Sequence, residues 1–332
     1  MNRNEVLDGW RGMAILAVLA GHFLSLPYIN LGRFGVELFF VLSGRLMGEI
    51  LFVREENLLR FYWRRFSRII PALYVFILIC YFASQYLPDI TIRPESAIAA
   101  ATFTYNYLRN AGFFGAAVDH TWSLCIEEHT YIFLGVLAFV VRRIKLTPWK
   151  ISLSLAVFCM LNGAYQSLVE AKSYYDVYWK TDTRAAGILL GCGLYCLYLD
   201  KPMWFDRITG NVIILLFIAA LVLSLNIIPD AIKYSAGTTA LAVSVTFLDR
   251  LPSLLKILIS NPLFRYFGIA SFSLYIWQQP FYVLIPQFGM PTMFLGALIF
   301  GLGSYYLVET PCRRVLNKFQ MKAIAKPIES SL

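Results

Sequence analysis

Charge is scarce in this sequence. Charged residues make up 15% of its 332 positions against 58% hydrophobic ones, and the mean hydropathy is +0.62. No ordinary soluble domain of this size has that balance. No long polar linker, low-complexity tract or soluble-domain stretch interrupts the chain. Histidine occurs three times and cysteine six times. Cys80, Cys125, Cys159, Cys192 and Cys196 fall inside apolar runs, with Cys312 just beyond the last, so no extracytoplasmic disulfide framework is expected. Cys192 and Cys196 stand one helical turn apart and read as packing rather than as metal ligands. A Walker A loop, a GxGxxG in a strand–helix context, an HExxH and zinc-ligand spacings are all missing, so nucleotide-loop and zinc chemistry are not expected. No metal is expected. Helix one carries Arg11 and His22 and lacks a small-residue cleavage site, so the N-terminus does not read as a signal peptide.

What the chain has is long apolar runs. The first is Leu7–Leu26, LDGWRGMAILAVLAGHFLSL; others fall near 34–53, 68–87, 122–141, 151–169, 184–199, 211–228, 232–248, 267–288 and 292–308. They predict an all-α, polytopic membrane helix bundle of about ten transmembrane helices. A weaker stretch at 95–108, ESAIAAATFTYNYL, is short and polar and reads as re-entrant or packed on the outer surface. Basic residues gather in alternate loops: Arg54, Arg60, Arg64, Arg65 and Arg68; Arg142, Arg143, Lys145 and Lys150; Arg250, Lys256 and Arg265; then Arg313, Arg314, Lys318, Lys322 and Lys326. If 95–108 does not cross, these loops share one side and both termini are cytoplasmic. Arg33, Arg93, Lys172 and Lys180 are the main exceptions on the other side. The net charge of +9 is therefore loop bias and needs no nucleic-acid partner. One membrane domain, residues 1–312, and a short basic tail, 313–332, are expected.

Ionisable groups inside such runs are costly and normally face the bundle interior. Arg11 and His22 share the first run. Eleven residues at about 100° each return to nearly the same helix face, with the two side chains about 16 Å apart along the axis. A cation near one membrane face and an imidazole near the other suggest chemistry conducted across the bilayer. A neutral imidazole suits a general base that takes a proton from a hydroxyl; a merely hydrogen-bonded interior histidine is the plainer reading. A second polar cluster, DHTWSLCIEEHTY at 119–131, holds His120, His129, Trp122, Ser123, Glu127 and Glu128. Asp119 or Thr121 could cap its helix. One of the two glutamates could orient His22 and the other could neutralise a buried arginine such as Arg184. Arg65 and Arg68, one turn apart beside Arg64, could grip a polyanion or simply anchor a helix. Glu37 and Arg45 are further intramembrane charges, and Ser43-Gly44 offers a small-residue packing surface. Tyr174, Tyr175, Tyr178, Trp179 and Trp122 could stack on a sugar or form an interfacial belt. Intramembrane Arg, His and Glu also occur in proton-coupled transporters and flippases. Such carriers usually show two related halves, and no internal repeat is seen. A structural or signalling protein with buried ion pairs is the third reading.

LDGWRGMAILAVLAGH (7–22), GVELFFVLSG (35–44), YWRRFSRIIPALY (62–74), HTWSLCIEEHTYIF (120–133), TRAAGILLGCGL (183–194), SFSLYIWQQP (271–280) and VETPCRR (308–314) together resemble the acyltransferase-3 family of bacterial membrane acyltransferases. The resemblance runs end to end. It implies transfer of an acyl group, usually acetyl, from cytoplasmic acyl-CoA to a hydroxyl of an extracytoplasmic or lipid-linked glycan, in the bacterial inner membrane. His22 would then be the essential histidine, acting as base or as transient acyl carrier, and Arg11 its partner. Arg65 and Arg68 would contact the phosphates of acyl-CoA, and Glu127 and Glu128 would be the acids of the WSLxxEE block. Glu37, Trp122, Ser123 and Arg184 are placed as acceptor-side or structural polar residues. The chain departs from the pattern at Gln278 and Gln279, where many members carry histidine, at Arg45, and at Glu37, where aspartate is common. No fused hydrolase-like domain is expected, and the acyl group is expected to be delivered directly.

Overall fold

A computed structural model describes residues 5–24, 26–144 and 146–329, with side chains described through residue 319. Lys145 and the side chains of Lys322 and Lys326 lie outside the described residues. The described chain is helical throughout, with no strand beyond an isolated antiparallel bridge between Ile29 and Leu225. The principal helices are α1 (Glu5–Phe23), α2 (Leu31–Met47), α3 (Leu58–Ala83), α4 (Trp122–Ile144), α5 (Pro148–Leu168), α6 (Ala186–Asp200), α7 (Gly210–Leu223), α8 (Thr238–Thr246), α9 (Pro262–Ile269), α10 (Ser271–Val283), α11 (Met290–Ser304) and α12 (Thr310–Glu329). A π-helical turn, Tyr305–Glu309, joins the last two.

Among the described residues, four helical stretches are long and apolar enough to cross a membrane: Leu58–Ala83, Ala116–Ile144, Pro148–Leu168 and Met290–Phe319. Each exposes apolar side chains on its outer surface, such as Leu78, Val136, Phe158 and Ile299. In water that arrangement would be unfavourable, whereas against hydrocarbon it costs nothing. The stretch at 95–108 forms two short helices, Pro94–Ala101 and Tyr105–Leu108. At 1.5 Å per residue neither can cross. Phe103 turns the chain between them with φ of 57°.

Contacts between loops sort into two ends of the bundle. At one end Arg265 meets Glu5, Arg45 meets Asp249, Arg142 donates to the Leu51 and Glu56 carbonyls, and Trp63 donates to the Leu316 carbonyl. At the other, Asn226 donates to the Tyr28 and Pro27 carbonyls, Gln287 bonds Asp89, Asn106 bonds Thr181 and Asn110 bonds Asp176. The four basic loops therefore share one end, as their charge pattern predicts.

Close helix contact in a bilayer relies on small residues, because lipid tails solvate apolar side chains as well as a partner helix does. A Cβ on Gly44 of α2 would stand 2.0 Å from the Ile188 carbonyl oxygen of α6, and one on Gly12 of α1 would stand 1.9 Å from that of Phe264 in α9. Glycine at both positions lets backbones touch. These crossings pin α1 and α2 in the middle of the molecule, and both helices carry candidate site residues.

Candidate active site

Arg11, on the basic-end half of α1, opens onto a cavity of about 330 Å³ lined by α2, α3, α4, α10 and α12. Volumes of this order suit small-molecule and cofactor sites. Five arginines line it: Arg11, Arg64, Arg65, Arg68 and Arg313, against two glutamates, Glu56 and Glu127. Its walls are apolar, with Phe39, Phe40, Met47, Ile50 and Phe272 among them. Ser123 and Tyr275 line it as well, and their hydroxyls are hydrogen-bonded at 2.6 Å. The Tyr275 hydroxyl also donates to the His120 carbonyl at 2.9 Å.

The arginines differ in how far they are already neutralised. Arg65 meets Glu128 at 2.8 Å and Glu127 at 3.9 Å, and its guanidinium stacks on Tyr131 at 3.6 Å. Tyr131 in turn donates to Glu127 at 2.8 Å. Arg64 pairs with Glu56 at 2.7 Å. Arg68 and Arg313 share Glu309, each at 3.8 Å, while the other oxygen of that wholly buried carboxylate accepts from Ser273 at 2.7 Å. Glu309 closes the π-helical turn before α12; such turns often mark functional positions. Among the described residues the polar contact of Arg11 is the Ser271 hydroxyl, at 3.5 Å. Arg11 and Arg68 thus keep the most charge available for an incoming anion.

His22 lies outside this lining, near the far end of α1. Its Nδ1 is hydrogen-bonded to Oε1 of the buried Gln278 on α10. Its ring stacks on Tyr282 with centroids 4.6 Å apart and planes at 21°. An amide oxygen only accepts, so Nδ1 carries the proton and Nε2 keeps its lone pair. Gln278 stands one turn beyond Tyr275, a residue of the cavity lining, on the same helix.

Two expectations about the WSLCIEE segment need correction. Neither Glu127 nor Glu128 bonds His22; both converge on Arg65. The helix opens only at Trp122, after a 3-10 stretch over Ala116–Thr121, and the half-buried Arg65 guanidinium attracts both carboxylates towards the cavity. Arg184 is likewise not their partner. It is 2% exposed, pairs with Glu37 at 2.8 Å and stacks on Tyr234 at 3.5 Å, while Thr238 donates to Glu37 at 2.6 Å. Nor do Asp119 and Thr121 cap the helix: Asp119 accepts from Tyr105 and Arg109, and Thr121 donates to the Val118 carbonyl. Ser123 lines the cavity, whereas Trp122 stacks on Trp179 at 5.1 Å. Arg45, 4% exposed, pairs with Asp249 at 2.9 Å. His129 bonds Thr181 at 2.8 Å, and all six cysteines are free. Reasoning from sequence missed the partnership of Gln278 with His22 and the role of Glu309 as shared counter-ion. Glu309 stands just past the last apolar run, in the VETPCRR segment at 308–314, and that segment was the available signal.

A family model described as acyltransferase domain matches residues 4–308. The chain belongs to the acyltransferase-3 family. Similar proteins include peptidoglycan O-acetyltransferase OatA of Listeria monocytogenes, 27% identical over 93% of this chain and 55% of that protein. O-acetyltransferase OatA of Staphylococcus aureus is 28% identical over 93% of this chain and 57% of its own length. The chain therefore spans little more than half of these curated relatives. No solved structure matches it. Family membership and the four apolar helices together make this a multi-pass membrane protein.

Proposed function

We propose that this protein is a membrane O-acyltransferase that moves an acyl group, acetyl in the first instance, from acyl-CoA to a hydroxyl of a glycan. The observation that carries the reading is the arginine-rich, apolar-walled cavity whose inner end lies one helical turn from the residue that holds His22. A donor with a polyanionic head and a thin apolar arm matches both halves of that cavity. Arg11 and Arg68 bind the phosphates, with Arg313 beside them, and the pantetheine arm follows the apolar wall towards Ser123 and Tyr275. Arg65 is held in place by Glu127 and Glu128, which makes these acids positioning residues for the cation. His22, fixed by Gln278, takes the proton of the acceptor hydroxyl at Nε2. The names of the relatives support a glycan of the peptidoglycan type as acceptor.

We take the bundle to cross a bacterial cytoplasmic membrane about ten times, with the basic end and both termini facing the cytoplasm. The donor would then enter from the cytoplasm and the acceptor from the outer side. Family membership supports this over a proton-coupled carrier or flippase.

The test uses purified protein in nanodiscs with radiolabelled acetyl-CoA, comparing wild type, Arg11→Gln/Arg68→Gln and His22→Ala. Saturable binding that weakens in the arginine variant and persists in His22→Ala is expected, with turnover lost in both. Label retained covalently on wild type but not on His22→Ala would mean that His22 carries the acyl group itself. Absence of acetyl-CoA binding to folded wild-type protein would overturn the reading.

A further inference from the structure

We propose that Val36 and Phe40 of α2 close the inner end of the large cavity and restrict the donor to an acyl group the size of acetyl, excluding chains of four carbons and longer. The inference rests on the reading of that cavity as the acyl-CoA site.

α2 lines the cavity along one face. Val36, Phe40, Ser43, Met47 and Ile50 all contribute to the wall, and residues spaced alternately four and three apart share one side of a helix. Arg45, paired with Asp249, marks the basic end of α2. Met47 and Ile50 therefore lie near the mouth, and Val36 lies deepest. Met47 and Val36 stand about 16 Å apart along the axis at 1.5 Å per residue.

α10 carries the same order. Ser271 touches Arg11, Tyr275 bonds Ser123 one turn deeper, and Gln278, which holds His22, follows a turn later. Among the described residues the lining stops at Val36 on α2, at Ser123 on α4 and at Tyr275 on α10. A donor whose phosphates rest on Arg11 and Arg68 brings its thioester to this end. The Ser123 and Tyr275 hydroxyls offer hydrogen-bond donors to the thioester oxygen. The acyl tail then faces the apolar side chains of α2.

The wall that the tail meets is rigid. Phe40 is wholly buried, and Trp122 meets its ring edge-on, with centroids 6.1 Å apart and planes at 85°. Trp122 is itself stacked on Trp179 with planes at 11°. α6 runs directly behind Phe40, since a Cβ on Gly187 would stand 3.1 Å from Phe40 Cβ. The Arg184 guanidinium, paired with Glu37, lies 5.9 Å from the same ring. Val36 is buried one turn away and is β-branched, hence stiff at χ1. Close-packed rings backed by a buried ion pair do not make room for two more methylenes without losing contacts. Lipid or flexible side chains would.

Shortening either side chain should lengthen the apolar slot. Phe40→Leu removes the end of the ring and Val36→Ala removes two methyl groups, and each keeps an apolar residue in the helix. Met47→Ala opens a comparable gap two turns nearer the mouth, where every donor presents the same arm, and serves as the comparison.

The experiment titrates the full chain in nanodiscs with free CoA, acetyl-CoA and butyryl-CoA, using empty nanodiscs as baseline. One methylene in an apolar pocket is worth roughly 10- to 200-fold, so wild type should bind acetyl-CoA at least about tenfold more tightly than butyryl-CoA. Phe40→Leu and Val36→Ala should each erase most of that preference. Met47→Ala should shift all three Kd values together and leave the preference intact. The preference is a ratio within one variant, so a general loss of stability does not imitate its relaxation. Wild type binding both acyl-CoAs alike would overturn the proposal. So would a preference that stays within about twofold of wild type in both α2 variants, or one that relaxes equally in Met47→Ala. Folded wild-type protein that binds no acetyl-CoA would overturn the donor reading itself, whereas binding without discrimination overturns only this inference.

Discussion

Replacing Gln278 with leucine tests whether an uncharged amide can do what a carboxylate usually does for a catalytic histidine. Gln278 is wholly buried, and its Oε1 is the acceptor for His22 Nδ1. Its Nε2 is buried without a partner, so leucine removes one orphaned donor while filling nearly the same volume. It also leaves the Nδ1–H of His22 without its acceptor, so folding stability should fall by about 1–2 kcal/mol. The reaction is another matter. When Nε2 takes the acceptor proton the ring becomes a cation, and both N–H groups then need acceptors. Losing the one at Nδ1 costs about 1–3 kcal/mol. At about 1.4 kcal/mol per tenfold this is roughly a 5- to 140-fold loss of rate. The loss should appear in kcat, because Gln278 does not line the donor cavity. The assay is steady-state acetyl transfer by purified protein at varied acetyl-CoA, with Gln278→Glu as the companion. Glutamate still accepts from Nδ1 and adds a negative charge beside the developing imidazolium, so it should retain most of the rate. A Gln278→Leu variant with kcat within twofold of wild type, or one that changes only KM for acetyl-CoA, would refute the argument.

Two further outcomes separate binding from architecture. Arg65→Gln leaves Glu127 and Glu128 without their shared cation, an uncompensated pair worth about 3–5 kcal/mol, so the melting temperature should drop clearly; Arg11→Gln, which gives up only a 3.5 Å contact to Ser271, should leave melting unchanged and weaken acetyl-CoA binding. Equal melting of the two variants would contradict the division of roles among the arginines. Gly44→Leu forces a side chain into the Ile188 carbonyl 2.0 Å away, and should abolish monodisperse folded protein on size-exclusion chromatography, whereas Gly303→Leu in open space should not.

The sequence is most legible where physics leaves few options. Long apolar runs cannot be anything but membrane or core helices, and a charge inside one must face the interior, so Arg11, His22, Glu37 and Arg184 stand out by their apolar surroundings alone. The Arg65–Arg68 pair is likewise visible, because both side chains fall on one face a turn apart. Partnership is not legible. Glu127 and Glu128 could reach His22 or Arg65 by spacing alone, and the choice falls to Arg65 because α3 presents a half-buried guanidinium to α4. Glu37 and Arg184 lie far apart in sequence, and nothing local announces that they meet. Gln278 registers in the sequence only as the absence of an expected histidine, since an amide inside an apolar helix does not reveal what it bonds.

By itself the sequence determined that this chain is a helical membrane protein, which end of its bundle is basic and which motifs it shares with a family, because composition, periodicity and motif order are properties of the chain alone. Only the tertiary structure decided which acid neutralises which arginine, which nitrogen of His22 stays free and where a cavity opens. Those facts depend on helices distant in sequence coming within a few ångströms of one another, where hydrogen-bond geometry and ion pairing are settled.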